Sequence, residues 1–274
     1  MLPENLKWEF PDSVDQAVRL ISKPGTILHA GGTRILKTYS GSVKCLVDTG
    51  NLNLNYINFI DNAFYIGASV TFAEVIRYSR GTGKLGLLSK ALSGAASTPL
   101  KNRITVGGSL KDFPLWSSLY APLIALDARI EIAGEHSGIY PIEDYVQNGI
   151  IKTRHLIKHV IVDETDNVVS GVKRFSLLKF EYPLFTIAAL LRNEDGKIKE
   201  ARLVITGVKG RFKRFRKAEK IFEGKNLEEL TIRKALALIK PRFVSDFKYS
   251  SEYKEKVAGI YFMDLLNELK EGAI

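Results

Sequence analysis

With 274 residues the chain is long enough for one large domain or two smaller ones, each with a real core, and its 45% hydrophobic and 26% charged residues are ordinary for a soluble globular protein. No apolar run approaches the roughly 18–20 residues that span a bilayer, and MLPENLKWEF lacks the basic-then-apolar pattern of a signal peptide, so no membrane partner and a cytoplasmic location are expected. The net charge of +10 admits nucleic acid, an acidic partner or an anionic cofactor, while the single cysteine, Cys45, excludes an internal disulfide and any iron–sulfur cluster held by this chain alone, which takes about four thiolates.

In chain order, 12–21 reads as a capped helix with Val14, Ala17, Val18 and Ile21 on one face. Thr26-Ile27-Leu28 is a strand that runs into Ala30-Gly31-Gly32-Thr33, and 44–48 is another short strand. Residues 64–68 form a strand, and Thr71 with Glu74 makes a capping box that opens a helix. A helix over 85–96 leads to Ile104-Thr105-Val106 and then Gly107-Gly108-Ser109. The apolar stretch 115–126 reads as a helix with Trp116 and Tyr120 on one core face, and 128–133 as a strand. His155 and His159 stand four apart, which on a helix would be metal-ligand spacing. Their context, HLIKHVIV, is β-branched and apolar, so a strand end with structural or surface histidines is expected and no metal site is assigned.

The polar, turn-rich DETDNVVSG over 163–171 marks a composition shift and a domain boundary near residue 168. Beyond it, 172–180 and 198–206 read as strands with an apolar helix over 184–191 between them, and Glu194-Asp195-Gly196 is a turn. Arg211, Lys213, Arg214, Arg216 and Lys217, interleaved with Phe212 and Phe215, look in isolation like a nucleic-acid patch. The tail over 251–269 is amphipathic, with Val257, Ile260, Tyr261, Leu265 and Leu269 on one face. This mixture of strands and helices indicates α+β or α/β. No Ser-His-Asp, paired-carboxylate or metal constellation stands out, and no catalytic residue is assigned.

The two glycine pairs carry the functional signal. Each follows a short apolar or β-branched run, where missing Cβ atoms permit a tight turn, and successive N–H groups of such a turn can converge on one anion. Two such loops suggest closure on a diphosphate. Neither fits the three-glycine dinucleotide fingerprint, so a nicotinamide-type Rossmann domain is disfavoured.

The ordered motifs resemble a known family, the FAD-binding medium subunit of molybdenum hydroxylases, which includes carbon monoxide dehydrogenase and the flavin domain of xanthine dehydrogenase. AGGTRIL at 30–36 is similar to that family's first pyrophosphate loop, and KNRITVGGSL at 101–110 to its second, normally Arg-Asn-x-x-Thr-Ile-Gly-Gly-Asn/Ser. Ile66-Gly67-Ala68, Leu126-Asp127-Ala128, the Arg214…Glu219…Gly224 spacing and DFKYSSEYKEKVA at 246–258 resemble further family segments, in family order over nearly the whole chain.

The resemblance implies an α+β fold: two FAD-binding subdomains of the vanillyl-alcohol-oxidase type (about 1–56 and 57–168), then a small α+β C-terminal domain with antiparallel sheet at 169–274. It implies FAD held by Leu28, His29, Ala30, Gly31, Gly32, Thr33, Arg34, Ile35, Ala68, Asn102, Thr105, Val106, Gly107, Gly108, Ser109, Ser118 and Phe175. The flavin would take electrons from an iron–sulfur small subunit, supplied in turn by a molybdopterin-binding large subunit. In that setting the basic stretch at 211–217 is read as a solvated helix start with its phenylalanines inward, or a subunit contact, and no nucleic-acid partner is expected. The sequence departs from the family pattern at Arg34, at Ser117-Ser118 where an acidic residue is usual, and at Phe175 and Leu177 where a Tyr-x-Lys segment is common. These departures keep open an alternative: a degenerate member with weak or no FAD binding, acting as an assembly or interaction module.

Overall fold

The computed structural model describes residues 6–35, 42–79, 85–111, 113–164, 166–178 and 180–271. By internal contacts the chain divides into two units, each discontinuous in sequence. The first comprises Met1–Tyr78, Ser97–Phe113 and Asp127–Asp163; the second comprises Ser79–Ala96, Pro114–Leu126 and Glu164–Ile274.

The first unit holds two sheets. β1 (Lys7–Glu9), β2 (Thr26–His29) and β3 (Cys45–Asp48) run parallel in the order β1-β3-β2. The Val14–Ile21 helix starts where Ser13 caps it by accepting the Gln16 N–H, and it buries Ala17 and Ile21. The second sheet is antiparallel: β4 (Ile57–Ile60), β5 (Ala63–Gly67), β6 (Arg129–Gly134), β7 (Gly138–Pro141) and β8 (His155–Asp163), in the order β4-β5-β8-β6-β7. Asp61 and Asn62, both at positive φ, make the tight β4–β5 turn. Central β8 is apolar on both faces, with Leu156, Ile157, Val160, Ile161 and Val162 all buried, so it reads as a continuous run rather than an alternation. The capping box forms as expected: the Thr71 N–H donates to Glu74 Oε2 at 2.7 Å and the Glu74 N–H to Thr71 Oγ1 at 3.3 Å, opening the Phe72–Tyr78 helix.

The second unit is built on an antiparallel meander of β9 (Val168–Phe175), β10 (Phe185–Glu194), β11 (Lys197–Val208) and β12 (Arg211–Arg214). The expected helix over 184–191 is strand β10. Its seven-residue buried run, apolar but for Thr186, sits between two ladder partners and is buried on both faces, where helix and strand leave the same apolar signature. Against the sheet pack the Arg216–Phe222, Glu229–Leu238 and Ser251–Glu271 helices, with Phe185, Leu191, Leu203, Phe222, Phe262 and Leu266 at the centre of the core.

Three further expectations shift. The helix expected over 115–126 is confined to Tyr120–Ala125, because the Ser117 hydroxyl accepts the Leu119 N–H and closes a local turn instead. Trp116 therefore leaves the core face it was to share with the fully buried Tyr120; it is 38% exposed and stacks on Tyr182 at 3.9 Å. The basic stretch begins as edge strand β12 rather than a helix, with Phe212 and Phe215 inward as expected. In the last helix the buried stripe runs through Lys254, Ala258, Phe262, Leu265, Leu266 and Leu269, leaving Ile260 52% exposed. Lys254 can hold an interior position because its Nζ donates to Val244 O at 2.8 Å and pairs with Asp246 Oδ2 at 2.6 Å.

Candidate functional site

The first unit gathers most of the expected cofactor residues. Leu28 and His29 end β2, and Ala30 to Ile35 follow as the first loop. His29 is fixed by Asp48, whose Oδ2 lies 2.7 Å from His29 Nδ1, and by the edge of Trp8 at 4.8 Å between ring centroids. The imidazole lies directly beneath Gly32: a Cβ there would meet His29 Nε2 at 2.8 Å. Gly32 also takes φ +70°, a left-handed geometry that side chains resist. Among the described residues, the N–H groups of Gly31, Gly32 and Thr33 donate to no protein acceptor, and neither does the Thr33 hydroxyl.

The second loop has a different character. Val106–Lys111 is a short helix, and Thr105 stands at its start. The Val106 N–H donates to Val70 O at 2.9 Å, the Gly107 N–H to Ala68 O at 2.8 Å, the Gly108 N–H to Thr105 Oγ1 at 3.2 Å and the Ser109 N–H to Thr105 O at 3.0 Å. These amides are all occupied by protein, so the expected open nest at Gly107-Gly108 is instead a helical first turn. Its purpose is close packing: a Cβ on Gly107 would lie 2.7 Å from Ala68 Cβ and 3.0 Å from Ala68 O. Ala68 is thereby brought against the second loop. The Ser109 hydroxyl, half-buried, has no protein partner among the described residues.

The two loops meet at Arg103, a residue outside the expected cofactor set. Its Nε donates to Gly31 O at 3.1 Å, and its own carbonyl oxygen fills the space a Gly31 side chain would need. Nothing in a one-sequence pattern separates this arginine from other exposed ones; only the Gly31 contact does. Asn102 caps the Thr98–Lys101 helix just before it.

Behind the second loop lies a buried polar knot. Lys111 Nζ donates to Thr153 O at 2.6 Å and stands 3.3 Å from His155 Nδ1, while Tyr145 Oη is 2.9 Å from His155 Nε2. Burial, with the Lys111 ammonium adding to it, pushes the His155 imidazole down to about 3, so it is neutral at ordinary pH. The lysine ties the end of the Val106–Lys111 helix to the turn that precedes β8.

Ser118 and Phe175 belong to the second unit. Ser118 Oγ accepts from Arg174 Nε at 3.2 Å, and the same guanidinium also bonds the carbonyls of Gly94 and Glu181. Phe175 stacks on Phe185 with ring centroids 5.2 Å apart and contacts the edge of Tyr261 at 5.6 Å. Leu177 is 52% exposed.

A half-exposed loop with three unclaimed amides, a left-handed glycine and the Thr33 hydroxyl, backed by a cation at Arg103, suits a diphosphate. The chain matches, over residues 4–163, the family described as the FAD binding domain in molybdopterin dehydrogenase. Residues 176–269 match the CO dehydrogenase flavoprotein C-terminal domain. The chain belongs to this family of FAD-binding proteins. Among relatives, it is 22% identical over 259 residues to the nicotine 6-hydroxylase medium subunit of Paenarthrobacter nicotinovorans, covering 91% of this chain and 92% of that one. It is 22% identical over 281 residues to the glyceraldehyde dehydrogenase medium chain of Sulfolobus acidocaldarius, covering 98% of this chain and 100% of that one. The fold is that of a chain in the crystal structure of Cu,Mo-CO dehydrogenase, with a TM-score of 0.90 at 23% identity over 99% of both chains.

Proposed function

We propose that this chain is the FAD-binding electron-transfer subunit of a molybdenum-containing hydroxylase or dehydrogenase complex. Its partners are an iron–sulfur small subunit and a molybdopterin-binding large subunit. The observation that carries the reading is the set of unclaimed amides at Gly31, Gly32 and Thr33, in a chain of this family. Those amides bind the diphosphate, with the hydroxyls of Thr33, Thr105 and Ser109 orienting it. Leu28, His29, Ala30, Arg34, Ile35, Ala68, Asn102, Val106, Gly107 and Gly108 shape the wall around it. Ser118 and Phe175 are assigned to the flavin end. Residues 1–168 form the cofactor domain and 169–274 the C-terminal domain; the two family matches, ending at 163 and beginning at 176, support that division.

Bound flavin supplies two-electron and one-electron redox chemistry that no side chain offers. The protein's part is to hold and orient it. The lone Cys45 cannot hold an iron–sulfur relay, so turnover of substrate requires the partner subunits. A flavin-free assembly module draws no support from the relatives. Among the described residues no helix is long and apolar enough to cross a membrane, and a cytoplasmic location is part of this proposal.

The test is release of FAD from denatured protein, or uptake of FAD by the apo chain, followed by reconstitution with the proposed partners. Flavin reduction by substrate is expected only in the assembled complex. Absence of uptake at high micromolar FAD with the partners present defeats the reading, and so does full substrate turnover by the isolated chain.

A further inference from the structure

Arg103 occupies one of the unspecified positions in the Arg-Asn-x-x-Thr pattern of the second loop, yet it is where the two loops are joined. Its backbone carbonyl seats Gly31 and its Nε holds the Gly31 carbonyl at 3.1 Å. The residue is exposed, and its two Nη groups have no acceptor among the described residues. The neighbouring donors at Gly31, Gly32 and Thr33 are amides, which carry only partial charge, whereas a diphosphate carries about two full negative charges. A guanidinium anchored at Nε presents its remaining N–H groups as a planar fork matched to phosphate oxygens.

We propose that Arg103 binds the cofactor's diphosphate directly. Its Nη groups donate to phosphate oxygens while Nε keeps Gly31 in place, so one residue closes the two loops and neutralises the ligand. This rests on the FAD reading above. Any substitution at 103 retains the backbone carbonyl that seats Gly31, so the side chain can be tested with the loop still packed.

The experiment titrates the full chain, as wild type, Arg103→Met and Arg103→Lys, with FAD and with ADP, at low and high salt. Arg103→Met is expected to weaken both ligands by about 10- to 100-fold, the range for losing a charge-assisted hydrogen bond. It is also expected to flatten the salt dependence of FAD affinity, because screening acts on the lost charge. Arg103→Lys should restore salt dependence and only part of the affinity, since an ammonium lacks the fork. Unchanged affinity in Arg103→Met overturns the proposal. So does a loss of affinity with undiminished salt dependence, which would mark a packing role. If wild type takes up no FAD, the functional reading fails first and this inference with it.

Discussion

A Cβ on Gly31 would lie 1.6 Å from the carbonyl oxygen of Arg103, and Arg103 Nε closes back onto the Gly31 carbonyl at 3.1 Å. The first loop is thus shaped by contact with the chain's own backbone as well as for a ligand. Gly107 repeats the relationship against Ala68. As a sequence pattern, all four glycines suggest one purpose, room for phosphate. In the structure Gly31, Gly32 and Gly107 make room for protein, and Gly32 also takes a left-handed φ of +70°.

Gly31→Ala and Gly107→Ala are therefore expected to destabilise the apo protein by roughly 1–3 kcal/mol each, as overpacking does. Gly31→Ala should cost more, because its obstacle is a backbone carbonyl that no rotamer change removes. Urea unfolding without FAD reads this directly. Wild-type stability in Gly31→Ala would mean that the loop is not seated on Arg103.

Gly259→Ala should act in the opposite direction. The residue is inside the Ser251–Glu271 helix, and an added Cβ meets no atom within 4 Å. Replacing a helix-interior glycine by alanine is expected to stabilise by about 0.5–1 kcal/mol through lower backbone entropy in the unfolded chain. A rise in thermal midpoint checks it, with FAD binding unaltered.

Glu219 is 5% exposed and accepts from the Leu203 N–H at 2.9 Å and from Arg214 Nε at 3.1 Å. Burial pushes its carboxyl above the usual range, while the Leu203 amide and Arg214 pull it back. Glu219→Ala would leave a buried amide and a nearly buried guanidinium without this partner, at a cost of roughly 3–5 kcal/mol. Glu219→Gln, which can still accept the amide, should lose less. Chemical denaturation of both variants separates the two contributions; equal losses would show that only the charge matters.

The His155 imidazole titrates near 3 in the folded protein and near 6.5 when unfolded. Above pH 6.5 it is neutral in both states and its contribution is complete. Below that, the unfolded chain binds a proton that folded His155 refuses, so stability falls as pH drops, by about 1.4 kcal/mol per unit toward pH 3. His155→Gln keeps hydrogen-bonding capacity beside Lys111 and Tyr145 but does not titrate. Urea midpoints between pH 7.5 and 4.5 should show a slope shallower by one proton in His155→Gln. Identical slopes would mean that His155 is not the group responsible.

Local signals in the sequence determined local structure here. Ser13 before an amphipathic octet, Thr71 three residues ahead of Glu74, and Asp195-Gly196 after an apolar run each act within a turn of chain, so the first helix, the capping box and the turn at 194–196 form where they are expected, although the segment that enters that turn is a strand and not the expected helix. The order of motifs likewise carried the family, because it is a property of the linear chain. The tertiary structure alone decided what depends on partners distant in sequence. The run at 185–194 became a strand because β9 and β11 flank it, and in the last helix Lys254 took an interior position because Val244 and Asp246 satisfy its ammonium, while Ile260 faces solvent. Arg103 reached Gly31 across 72 residues of chain by packing and pairing that no window of sequence contains. An exposed arginine and a paired glycine look alike wherever they occur; hydrogen-bond distance and the space left by a missing Cβ exist only once the chain has folded back on itself.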